Sequence, residues 1–199
     1  MIELFSLSHI LYLLISAIIC ISFYFIFRNK SEKVKYIATF IPLILAFIVH
    51  FLKLLIPEYR NNLPASIISI TPETICAIST LAFPFIYISR NEKLKDYMVI
   101  IGIISGALTL LIPTEIQGYS IFNIETIRFF FAHLVILMSP LFMYIFKIHT
   151  LTKKWVKNTL IIFLIACLTI IINGLLFTYI LEGKEALLSF LEQLNIIKN

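Results

Sequence analysis

The chain has 199 residues, 60% of them hydrophobic and only 14% charged, with a mean hydropathy of +1.00. A soluble domain is roughly 45–50% apolar and about 25% charged, so this composition excludes one and points to a membrane protein. A net charge of +5 could suit nucleic acid, but the basic residues lie in short segments between apolar runs, where they act as topology signals.

One all-α domain over 1–199 is expected, a polytopic bundle of about six transmembrane helices. Backbone polar groups in lipid must be paired within their own segment, and the alternating short strands of a β-barrel are absent. The first helix, 8–27, falls in the charge-free stretch from Leu4 to Phe27, long enough to cross about 30 Å of hydrocarbon. It does not read as a removable signal peptide, because Glu3 precedes it and the positive charges follow it. The second helix is 36–55. The third is 67–89, led in through Pro72, and the fourth is 97–112. The fifth is 126–146, with a kink expected at Pro140, and the sixth is 156–181. Beyond it, Leu187, Leu188, Leu191, Leu194 and Ile197 recur at helical spacing, so a tail helix over 184–197 either lies in the membrane interface or packs on the bundle.

Basic residues set the orientation. Arg28, Lys30, Lys33 and Lys35 follow the first helix, Arg90, Lys93 and Lys95 the third, and Lys147, Lys153, Lys154 and Lys157 the fifth, eleven in all. The opposite connections carry Arg60, and the tail adds Lys184 and Lys198. Cytoplasmic loops are the Lys/Arg-rich ones, so both termini are expected outside. High Ile and Phe usage points to an AT-rich bacterial genome, hence to a bacterial cell membrane.

Polar groups inside hydrocarbon are costly and usually face the bundle interior, a cavity or a partner. Here they are His9 (first helix), His50 and Lys53 (second), Glu73 and Cys76 (third), Arg128 and His133 (fifth) and Asn173 (sixth). All fall at the outer end of their helices, while the inner half reads as nearly pure hydrocarbon. A polar cavity opening outward is expected. Residues three apart share a helix face, which pairs Glu73 with Cys76 and His50 with Lys53. Arg128 and Lys53 could also snorkel to the headgroups. Cysteine is often a small packing residue, the reading given to Cys20 and, taken alone, to Cys76. No Cys/His metal spacing and no Gly-rich phosphate loop occurs, so neither metal nor cofactor is expected.

Three segments carry a resemblance: Phe5-Ser6-Leu7-Ser8-His9, Pro72-Glu73-Thr74-Ile75-Cys76-Ala77-Ile78 and Phe129-Phe130-Phe131-Ala132-His133. They are similar to the corresponding segments of the YwaF-like family of six-helix bacterial membrane proteins, and the resemblance covers most of the chain. A related eukaryotic family resembles membrane acyltransferases that act on phospholipid acyl chains through one cysteine and one histidine. Carried over by motif, those residues are Cys76 and His133.

The chemistry is coherent with that implication. An imidazole beside a thiol can make the thiolate and later protonate the leaving group. Cys76, three or four residues into its helix, gains from the positive helix end. Arg128, Lys53 or Asn173 could stabilise an oxyanion, and Glu73 could orient a histidine or pair with a cation. Membrane lipids are then the partner and substrate source. Two other readings stay open: a small-solute binding or transport protein, such as the substrate-capture subunit of an importer, and a non-catalytic assembly protein.

Overall fold

Four helices begin where a short polar side chain takes up a free backbone N–H, as N-caps do. Ser6 accepts from His9 ahead of α1 (Leu7–Phe27), Thr74 from Ala77 ahead of α3 (Ile75–Ile88), Asn91 from Lys93 and Leu94 ahead of α4 (Glu92–Leu111), and Asn123 from Glu125 ahead of α5 (Ile124–Ile145). The other two helices are α2 (Glu32–Phe51), continued by a 3-10 turn (Leu52–Leu55), and α6 (Trp155–Glu182). A second 3-10 turn, Thr114–Ile116, follows α4. The structure, a computed structural model, describes residues 1–55 and 70–182, with side chains to 177. The expected tail helix over 184–197, Arg60, Lys184 and Lys198 lie outside the described residues.

The six-helix, all-α expectation holds among the described residues, and five helices are long and apolar enough to cross a membrane. Two boundaries move furthest, while α2 starts four residues early at Glu32. Asn91 caps α4 five residues earlier than expected, so Lys93, Lys95 and Asp96 are helical. The third helix, expected over 67–89, is not helical at Pro72: it starts at Ile75 and has 14 residues, and positions 67–69 lie outside the described residues. At 1.5 Å per residue that is about 21 Å, short of the ~30 Å of hydrocarbon. Measured from Ile88, beside the basic loop, α3 therefore begins short of the far edge of that thickness.

At the centre is α5. Of its most apolar stretch 67% is buried, against 6% for α1 and for α6. Exposed Leu14, Ile18, Leu164 and Leu168 on those outer helices face the surroundings, as lipid-contacting residues do. The antiparallel pair α4 and α5 meets at two glycines four residues apart. A Cβ on Gly102 would lie 2.6 Å from Pro140 Cγ, and one on Gly106 would lie 2.7 Å from the Leu137 backbone nitrogen. Small residues at this spacing let membrane helices approach closely. After α5 the chain turns through Lys147 (φ 58), with Lys147 N–H bonded to Tyr144 O and Ile148 N–H to Met143 O. Glycine is usual at that left-handed position, and a lysine there costs about 1 kcal/mol.

Candidate active site

The short α3 is what places Cys76. Cys76 is the second residue of its helix, immediately after Ile75, not the third or fourth, so it sits in the turn whose N–H groups lack intrahelical partners. Its Sγ lies 3.4 Å from Thr109 Oγ1 on α4. On the facing side, His133 of α5 is buried, and its Nδ1 is 2.8 Å from the Phe129 carbonyl oxygen. A carbonyl only accepts, so Nδ1 carries a proton, which in the neutral ring leaves the lone pair on Nε2.

Both residues line one cavity of about 60 Å³, together with His50, Lys53, Glu115 and Arg128. Five of the eight residues expected at a polar site therefore converge, from α2 and its 3-10 turn, α3 and α5. His50 Nε2 donates to the Ile70 carbonyl at 3.0 Å. Arg128 is held by Glu125 Oε2, at 2.9 Å from Nε and 2.5 Å from Nη2. That pairing, one turn apart on α5, keeps the guanidinium in the bundle rather than extended to headgroups. Although Arg128 and His133 are five residues apart, the long arginine side chain reaches the wall that the histidine occupies.

The other three residues lie elsewhere. His9 is fully buried, with Nδ1 accepting from Phe5 N–H at 3.0 Å and Nε2 donating to Leu110 O at 2.8 Å. Both ring nitrogens are used, so His9 ties α1 to the end of α4 and offers no base. Asn173 donates to Thr71 Oγ1 at 3.0 Å and fastens α6 to the segment before α3. Glu73 does not share a helix face with Cys76, because it precedes the Thr74 cap and is exposed. Partial desolvation pushes its carboxyl above the usual range; Lys53 opposes that and Glu115 adds to it.

The carboxylate at the cavity is Glu115, which sequence reasoning missed. Its signal was its position just past the outer end of the fourth helix, the rule that selected the other residues. Thr109 was missed because a threonine inside an apolar helix looks like packing. The inner half is not pure hydrocarbon either. Asp96 is fully buried and accepts from His149 Nε2 (2.9 Å), Asn158 Nδ2 (2.8 Å), Thr152 N–H (3.0 Å) and Thr152 Oγ1 (2.5 Å). His149 Nδ1 lies 2.8 Å from Glu92 Oε2. An acid amid Lys93, Lys95 and Tyr97 was the available signal.

The TMEM164 family model matches residues 4–192, which include all six helices and every residue of the cavity. The chain belongs to the TMEM164 family. No curated protein and no solved structure shows a significant match. With five helices able to cross a bilayer, this member of the TMEM164 family is a multi-pass membrane protein.

Proposed function

We propose that the protein is a membrane acyltransferase, or the related acyl hydrolase, with Cys76 as nucleophile and His133 as general base, acting on the acyl ester of a membrane lipid. The observation that carries this reading is the setting of the shared cavity. At about 60 Å³ it has room for about four waters, too little for an acyl chain. Arg128, however, is also a wall of an apolar groove of about 360 Å³ between α2 and α5, lined by Val49, Leu52, Ile124, Ile127 and Phe131. Leu52, Ile124 and Ile127 are exposed, so a chain can lie in the groove from the lipid side while its ester carbonyl meets the cavity. The resemblance to the YwaF-like family and to cysteine/histidine acyltransferases supports the same residues.

The chemistry balances without a cofactor. His133 Nε2 takes the Cys76 thiol proton, and Sγ attacks the ester carbonyl. The oxyanion finds Lys53, Arg128 and the free N–H groups of the first α3 turn. Collapse expels the lysolipid alkoxide, which takes the proton from His133, and leaves a Cys76 thioester. An acceptor hydroxyl or water, deprotonated by the same nitrogen, releases the acyl group. Eleven basic residues at the other end of the bundle support a bacterial cell membrane orientation with both termini and this site outside.

The test is peptide mass spectrometry of the protein in native-lipid discs. A hydroxylamine-labile acyl group is expected on Cys76, absent from Cys20 and Cys167 and lost in Cys76→Ser. Its formation should slow by about 10²–10⁴-fold in His133→Ala. An unmodified Cys76, with unchanged lipids after long incubation, would overturn the reading. It would favour the solute-binding alternative, which the short α3 supports and the small cavity opposes.

A further inference from the structure

At the opposite end of the bundle, three cationic side chains reach one open cavity of about 430 Å³, formed where α1 ends, α2 begins and α5 ends. Arg28, Lys35 and Lys147 line it with Tyr24, Glu32 and Phe146. Glu32 holds Lys35 at 2.8 Å, whereas Arg28 and Lys147 have no carboxylate partner among the described residues. The charged heads are nonetheless placed. The Arg28 guanidinium lies 4.8 Å from the Phe25 ring centroid, and Lys35 Nζ lies 5.7 Å from that of Phe146. Such stacking favours a cation without neutralising it.

Cations near helix C-termini are favoured by the carbonyl ends, which accounts for Arg28 after α1 and Lys147 after α5 one at a time. It does not account for their convergence on one cavity with Lys35. Nor does it explain a lysine at the left-handed φ of 58, where glycine would be unstrained. We propose that this cavity binds a phosphate group, that of an anionic phospholipid headgroup or of a soluble phosphate. The two unpaired cations engage its oxygens while Tyr24 and Phe146 form the apolar wall. Two free positive charges beside an apolar wall at the basic end of a membrane bundle suit an anionic headgroup. The site is separate from the Cys76 cavity, and it stands whether or not Cys76 reacts.

Lys147→Gly removes a cation and relieves the backbone at once, so misfolding cannot mimic the expected result. The experiment titrates full-length protein in mild detergent with phosphatidylglycerol, phosphatidylcholine and inorganic phosphate, reading bound ligand by native mass spectrometry. Saturable phosphatidylglycerol binding, little phosphatidylcholine binding and about a fivefold weakening in each of Lys147→Gly and Arg28→Gln are expected. The thermal midpoint of Lys147→Gly should be unchanged or higher. Competition by inorganic phosphate, with the same sensitivity to both variants, would support the site and place its ligand in solution. Phosphatidylglycerol binding unchanged in both variants, or phosphatidylcholine bound as tightly, would overturn it.

Discussion

Two buried histidines at the same end of the bundle show how a hydrogen-bond inventory separates structure from chemistry. His9 spends both ring nitrogens on backbone groups of Phe5 and Leu110, and His133 spends one. His9→Ala should therefore strand a buried carbonyl and lower stability by about 1–3 kcal/mol. Acylation of Cys76 per folded molecule should remain. His133→Ala should instead cut Cys76 acylation per folded molecule by about 10²–10⁴-fold, beside the stability it loses with the buried bond to Phe129 O. Equal loss of activity in the two variants, after correction for folded protein, would contradict this division. Thr109 gives a finer test. Its hydroxyl is within reach of Sγ at 3.4 Å and can donate to a thiolate, so Thr109→Val should slow alkylation of Cys76 by up to about tenfold. An unchanged alkylation rate would leave Thr109 as packing.

At the scale of the helix, the site depends on how closely α4 and α5 approach, because one carries Thr109 and the other His133. Gly106 meets backbone, not the end of a flexible side chain: a Cβ would sit 2.7 Å from Leu137 N and 2.9 Å from its Cα. Gly106→Ala must push the helices apart and should cost about 1–3 kcal/mol, read as a lowered thermal midpoint. A wild-type midpoint would mean that the pair slides without cost. Most of this architecture was legible in the sequence. Long apolar runs fixed the number of helices, and the placement of polar residues at alternate ends gathered His50, Lys53, Cys76, Arg128 and His133. Residues whose partners are not set by sequence spacing stayed hidden. Pro72 and Glu73 looked like the first turn of a helix that Thr74 caps instead, and His9 and Asn173 matched the site residues in type and depth. Only tertiary contacts reveal that they serve as ties.

Across the whole molecule, the two polar ends have different work, and α4 joins them. Near the site it carries Thr109, and at the other end Asp96, thirteen residues or about 20 Å away. Asp96 gathers donors from His149 and Thr152 between α5 and α6 and from Asn158 on α6, while Glu92 reaches the second nitrogen of His149. Lys95 closes the set on Glu92 at 3.2 Å. The acid is enclosed by its partners: Asp96 is 0% exposed and His149 is 3% exposed. The cluster therefore clamps three segments rather than holding a ligand. Asp96→Ala leaves four donors facing an empty position, and losing one member of a buried ionic network costs about 3–5 kcal/mol. The expected outcome is a large fall in the thermal midpoint, with Cys76 acylation per folded molecule at low temperature close to wild type. A double-mutant cycle separates the pair from general damage. Asp96→Asn and His149→Gln should each destabilise, and together should differ from additivity by about 0.5–3 kcal/mol. Strict additivity would show that the two side chains stabilise the fold independently, and the clamp would then reduce to the Thr152 and Asn158 bonds alone.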